Sequence, residues 1–227
     1  MNRRVVLYGN PALRTKSRLI EKLTPELTQF LEDLKMSMLT QDGLGLAANQ
    51  LAETVAVFAI NPRSADIDQE PYCVINPQVV ATEGLIEAEE GCLSLPGLFD
   101  FLPRPEFVRV AGLDEELQPI TVEGTRLLAR ALLHETEHLS GVLFIDHLSE
   151  SRRRMIGTKL RELEEKERCA WPSSARPSLP SRLCGRWPGL RMRSGRSSPR
   201  LLNPAGAAAS WSQARSNRKP ARWASQS

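Results

Sequence analysis

The sequence predicts an α+β fold, with mixed or antiparallel strands packed around a central helix and a charged helix after it. Three observations carry this. Apolar residues at 127, 128, 131, 132 and 139 recur with helical period across Arg126–Val142, around the motif His134-Glu135-Thr136-Glu137-His138. Short runs of strand-forming residues at 54–60, 73–75, 78–82, 107–110 and 119–122 are separated by Asn-Pro and Asp-Glu-Glu turn signals. Residues 149–168 are dense in Arg, Lys and Glu.

Of the 227 residues, 169–227 stand apart: they carry eleven Lys+Arg and no acid, all four Trp and seven of the sixteen Pro. The net charge of +3 therefore hides an acidic body, with 19 basic and 27 acidic residues in 1–168. The composition break divides the chain into a catalytic-sized domain at 1–168 and a basic low-complexity tail at 169–227. Two readings of the tail stand: a disordered basic arm that binds RNA or the ribosome, or an out-of-frame extension past a stop near 168. The abrupt change and the missing acids favour the second. No secretory leader is evident, and no apolar run approaches 18 residues. Four scattered Cys give no disulfide framework. A reducing, cytoplasmic protein is expected, with neither membrane nor DNA as a partner.

In order along the chain, Pro11–Arg14 should form one helical turn after Asn10. Thr24-Pro25-Glu26 starts a helix: a capping hydroxyl, Pro in the first position, then a carboxylate near the positive end of the dipole. Leu27, Phe30, Leu31, Leu34 and Met38 form its apolar stripe, Met36 and Met38 are read as core filling, and Asp42-Gly43 stops it. The small residues of Gly43–Gln50 let another backbone lie close. This segment lacks the third glycine of a dinucleotide fingerprint and follows a helix, not a strand. Residues 54–60 form a buried strand, 61–71 a polar loop, and 73–75 and 78–82 two short strands around an Asn76-Pro77 turn. Glu89–Gly97 breaks the strand pattern. Residues 107–110 and 119–122 pair as a hairpin around Asp114-Glu115-Glu116. The central helix ends at Ser140-Gly141. In 149–168 the basic residues precede the acidic ones, against the helix-dipole preference, so the basic end is a candidate partner surface.

On the central helix His134 and His138 stand one turn apart on one face, where two imidazoles can share a metal ion. Glu135 is turned roughly 100° away and can act on a water as general base. Two of the three His fall here, which weighs against an ordinary amphipathic helix. His147 reads as a surface or capping residue. A catalytic two-His site needs a third protein ligand and an open position. The H-x-x-G-x-x-H continuation fails, because Gly141 fits but Phe144 occupies the last place. The third ligand is then either a downstream carboxylate (Glu162, Glu164 or Glu165) or the thiolate of Cys92, which by itself reads more readily as a small buried hydrophobe. The Gln50 amide is a candidate oxyanion donor.

The three segments GLGLAANQ at 43–50, EGCLS at 90–94 and HETEH at 134–138 together resemble the three signature motifs of the peptide deformylase family, in order and at similar separations. The resemblance covers about residues 1–168. It implies Cys92, His134 and His138 as ligands of one divalent metal ion per chain, ferrous iron with zinc or nickel able to substitute. It also implies Glu135 as the catalytic carboxylate, with Gln50 and the Leu93 N–H as oxyanion donors. The implied reaction is hydrolysis of the formyl group from N-formylmethionyl nascent peptides during translation, releasing formate. An extended substrate beside Gly43, Leu44 and Gly45, with a methionine pocket from Leu44, Ala88, Leu127, the Arg130 stem and Ala131, is expected. The basic part of the 149–168 helix is a candidate ribosome contact. The sequence departs from many relatives at Leu133 (often Gln), Glu137 (often Asp) and Phe99, where some carry an Arg that binds substrate backbone. Two rivals are an HExxH endopeptidase, which needs no role for Cys92, and a nucleic-acid-binding module with a merely structural metal.

Overall fold

The computed structural model describes residues 3–170. Helix α1 (Pro25–Thr40) begins as its sequence dictates, with the Thr24 hydroxyl accepting from the Leu27 N–H at 3.2 Å. It buries Phe30, Leu31, Leu34 and Met38. Met36 does not fill the core: it is 53% exposed, because it sits off that stripe. Strands β1 (Gly45–Ala47), β2 (Val57–Ile60), β3 (Tyr72–Glu83), β6 (Phe107–Leu113) and β7 (Pro119–Thr125) form one sheet in the order β1-β2-β3-β6-β7. Strands β4 (Ile86–Gly91) and β5 (Phe99–Arg104) form a second, two-stranded sheet. Every strand pair is antiparallel, which narrows the expected mixed or antiparallel arrangement.

The centre of β2 is buried on both faces of the large sheet. Val57 and Ala59 of β2 pack with α1, whereas Phe58 and Ile60 pack with helix α2 (Arg126–Leu139). A strand covered on both sides has no polar face, which explains the unbroken apolar run at 55–60. Three sequence expectations are corrected. Residues 73–75 and 78–82 belong to one strand, β3, and Asn76-Pro77 is an irregularity within it. Asn76 adopts φ +52°, and its side chain bonds the Ile20 N–H at 2.9 Å and the Ile20 carbonyl at 2.8 Å. Those two bonds hold a turn-like residue inside a ladder. Glu89–Gly91 continues strand β4, and β5 was not foreseen at all. Leu127 is 51% exposed and does not share the buried face of α2 formed by Leu128, Ala131, Leu132 and Leu139.

Helix α3 (Glu150–Ala170) extends past the expected boundary at 168 and docks through a narrow stripe: Ile156, Leu160 and Leu163 pack on Leu143, Phe144 and Leu95. Below that stripe Glu167, 1% exposed, closes the chain. It takes two hydrogen bonds from Arg4, both 2.9 Å, one from the Leu7 N–H at 2.9 Å and one from Asn10 Nδ2 at 2.8 Å. Among the described residues no helix is long and apolar enough to cross a membrane. The expectations for 171–227 lie outside the described residues.

The Glu167 clasp has a pH signature. Burial alone would raise its pKa, but the Arg4, Asn10 and Leu7 hydrogen bonds hold it below the ordinary value. A depressed folded-state pKa contributes stability that is full above the unfolded value and is lost as pH falls through the folded one. Glu167→Gln should therefore lower stability at neutral pH by about 1–3 kcal/mol. The Tm gap to wild type should shrink as pH falls below about 4. Thermal melts across pH check this; a gap that widens in acid contradicts it.

Candidate metal centre

Helix α2 brings His134 and His138 together as the spacing requires: their Nε2 atoms are 3.2 Å apart. The tight turn after β4 delivers the third group. Leu95 N–H donates to the Cys92 carbonyl at 2.9 Å and Leu98 N–H to the Leu95 carbonyl at 3.1 Å. This curl leaves Cys92 Sγ 3.2 Å from His138 Nε2. Among the described residues Cys92, His134 and His138 are the cluster whose donor atoms all lie within 4.8 Å of one another. For metal–nitrogen and metal–sulfur bonds near 2.1 and 2.3 Å, a tetrahedral site has donor–donor edges of about 3.4–3.6 Å, so the spacing fits. The three carboxylates Glu162, Glu164 and Glu165 are not in this cluster, whereas Cys92 is. His147 stays outside, 3.0 Å from Glu137 Oε2.

Sequence reasoning missed the groups that orient the ligands. Glu90 Oε1 is 2.7 Å from His134 Nδ1. Arg104 grips the same carboxylate at 2.9 and 2.8 Å, and Arg130 Nη1 holds it at 2.9 Å. All four residues are buried. Although burial would raise the Glu90 pKa, the His134 and Arg104 bonds hold it well below the usual carboxylate range. An ionised acceptor on Nδ1 leaves His134 Nε2 as the nitrogen free to face the centre. Arg104 reaches on to Glu137 at 2.8 Å. Glu90 was visible in sequence as part of EGCLS; Arg104, between two prolines, gave no signal.

Glu135 is buried, and burial pushes its carboxyl up to about 7. Its Oε2 has no hydrogen-bond partner among the described residues. It stands against Gly45, where an added Cβ would lie 2.5 Å from Glu135 Oε1. The missing side chain of Gly45 makes room for this carboxyl. Gln50 is oriented by its own oxygen, which accepts from the Ala47 N–H at 2.8 Å. Its Nε2 is thereby turned toward Ser94 Oγ at 3.2 Å and Cys92 Sγ at 3.5 Å. Leu93, next to Cys92, packs close to Gly43.

The expected methionine pocket is gathered only in part. Leu44 and Ala131 pack in the core between sheet and α2, and Ala88 faces Leu102 across the β4–β5 ladder. The Arg130 guanidinium donates to the Ile86 and Leu102 carbonyls at 3.3 and 3.1 Å, so its head is committed to the hairpin. Phe99 is 62% exposed, and its ring covers Gly91, where a Cβ would lie 2.5 Å from it.

A family model for polypeptide deformylase matches residues 2–154. A peptide deformylase of Clostridium botulinum is 40% identical over 144 residues, covering 63% of this chain and 95% of that protein. One from Parafrankia sp. is 37% identical over 177 residues, covering 78% and 92%. Among solved structures, the peptide deformylase of Legionella pneumophila superposes with a TM-score of 0.68 at 32% identity, covering 76% of this chain and 100% of that one. That of Thermus thermophilus gives 0.68 at 34%, covering 73% and 99%. Sequence and fold thus agree over the whole region that builds the centre, and the chain belongs to the peptide deformylase family, metal-dependent hydrolases that remove the formyl group from the N-terminal formylmethionine of newly made polypeptides.

Proposed function

We propose that Cys92, His134 and His138 hold the single divalent ion of this deformylase, that Glu135 moves the proton, and that Gln50 and the Leu93 N–H meet the developing negative charge. The convergence of the three donor atoms, with the Gln50 amide turned toward them, carries this reading. Two imidazoles and one thiolate suit ferrous iron, with zinc or nickel as substitutes. A thiolate ligand is also at home in the reducing cytoplasm. When bound, the ion supplies a Lewis acid that polarises the formyl carbonyl and lowers the pKa of a water.

The residues do the rest. Glu135 takes a proton from the attacking water as its oxygen bonds the formyl carbon. Glu135 acts as base in its ionised form, which a cation bound by Cys92, His134 and His138 would favour. Gln50 Nε2 and the Leu93 N–H donate to the formyl oxygen as charge grows there; losing one such donor costs about 10²–10³ in rate. Glu135 then gives the proton to the amide nitrogen as the carbon–nitrogen bond breaks, leaving formate and a free amine. The substrate lies extended along β1, an edge strand of its sheet, led in by Gly43, Leu44 and Gly45. The methionine side chain enters between Leu44, Ala88 and Ala131, with Leu127 and the Arg130 stem at its margin.

Formate release from a formylmethionyl peptide tests this. Glu135→Ala should keep its metal and lose about 10²–10⁴ in kcat. Cys92→Ala should lose the metal itself. Undiminished formate release from metal-loaded Glu135→Ala contradicts the reading, and internal peptide cleavage would favour the endopeptidase rival. Gly45→Ala should displace the Glu135 carboxyl and cost about 10²-fold in kcat with a smaller change in KM. The exposed guanidiniums of Arg152, Arg153 and Arg154 support a dock on ribosomal RNA phosphate. Reversing these three charges should reduce co-sedimentation with ribosomes and leave deformylation of a free tripeptide intact.

A further inference from the structure

We infer that Asn49 and Ser17 are positioning residues for His138, acting through one buried water that joins the imidazole Nδ1–H to the Asn49 amide oxygen and the Ser17 hydroxyl. The inference rests on the reading of His138 as a metal ligand and adds what holds that ligand in place.

His138 Nε2 lies 3.2 Å from both Cys92 Sγ and His134 Nε2, so it is the nitrogen that faces the centre. A neutral imidazole that ligates through Nε2 carries its proton on Nδ1, which is then a donor. His134 has its Nδ1 partner in Glu90, but His138 Nδ1 is buried with no partner among the described residues. Two more orphans belong to residues fastened to the same end of α2. Asn49, wholly buried, donates from Nδ2 to the His138 carbonyl at 2.5 Å, while its Oδ1 has no partner among the described residues. Ser17, also buried, donates its backbone N–H to the next carbonyl, that of Leu139, at 2.8 Å, while its Oγ likewise has none. These carbonyls are successive on the last helical turn, so Asn49 and Ser17 are both anchored at the C-terminal end of α2, on His138 and on the residue after it.

The chemistry of the three orphans is complementary: one obligate donor, one obligate acceptor and one hydroxyl that serves as either. Left unpaired and buried, each would be costly. Exchanging the Asn49 oxygen and nitrogen is no remedy, because it would set two carbonyl oxygens against each other. One water satisfies all three. It accepts from His138 Nδ1–H and donates to Asn49 Oδ1, and its third bond goes to Ser17 Oγ. The two histidines of the motif are therefore steadied differently, His134 by a carboxylate and His138 by a neutral, hydrated pair. A charged partner on only one of them keeps the net charge of the ligand set low.

The test uses the full chain loaded with zinc. In wild type, imidazole NMR should show His138 as the Nδ1–H tautomer, slowly exchanging, with a cross-peak from that proton to a bound water. Asn49→Leu should raise the zinc dissociation constant about 10–100-fold in chelator competition. Asn49→Gln, which keeps both the amide donor and the amide acceptor, should lose less. Ser17→Ala removes a single oxygen and should speed Nδ1–H exchange about fivefold. Tight wild-type zinc binding, with Asn49→Leu equally tight and exchange unchanged in Ser17→Ala, overturns this inference and leaves the ligand reading intact. A His138 ring that shows no zinc-dependent shift in wild type overturns both.

Discussion

The buried carboxylate of Glu90 is the contact on which the centre depends. Among the described residues β4 and β5 share no ladder with the five-stranded sheet, so ladder hydrogen bonds do not fix the position of Cys92 relative to α2. Glu90 fixes it from two residues before Cys92, by gripping His134, Arg104 and Arg130 at once. Taking a carboxylate out of water is expensive, and a single partner rarely compensates it. Here two guanidiniums balance Glu90 and Glu137, so the buried cluster is close to neutral as a whole. The convergence of Cys92, His134 and His138 is thus an electrostatic consequence of a pairing between hairpin and helix, not of either element alone.

The second requirement is a rigid base for α2. The large sheet supplies it, with apolar residues of β2 directed alternately to α1 and to α2. Close packing of this kind leaves little freedom for the two histidines to shift along the helix. Where a side chain would intrude, the chain carries glycine: Gly45 admits the Glu135 carboxyl, and Gly91 lies flat under the Phe99 ring.

How much of this could be read in the sequence depended on whether the signal was local. The Thr24 cap, the α1 stripe, the 107–125 hairpin and the two histidines are set by residues within a few positions of one another, and each formed as expected. Asn76-Pro77 misled because the contacts that keep it in β3 come from Ile20, 56 positions away. The β4–β5 hairpin was hidden by Glu87, Glu89 and Glu90, poor strand formers on composition alone. Two of these lie outside the core, and the third is the buried Glu90. Cys92 could not be chosen over a carboxylate from spacing, since it lies in a different element, far from His134 in the chain. Only the joint pattern of three motifs pointed to it. Leu127 shows the limit of periodicity, which counts an apolar residue as core wherever it falls near the stripe.

The Glu167 clasp also sets a clock. Arg4 and Glu167 are 163 positions apart, so this contact forms only when the last described helix has been made. At a synthesis rate of roughly 5–20 residues per second, that wait is on the order of ten to thirty seconds. During that time Val6 and Leu13, which end up in the core with Leu163, have no α3 to cover them. Helix α2 and the five-stranded sheet precede that point in the chain. The Arg4–Glu167 contact is therefore among the last that the described residues can make, and until then Val6 and Leu13 lack their α3 cover.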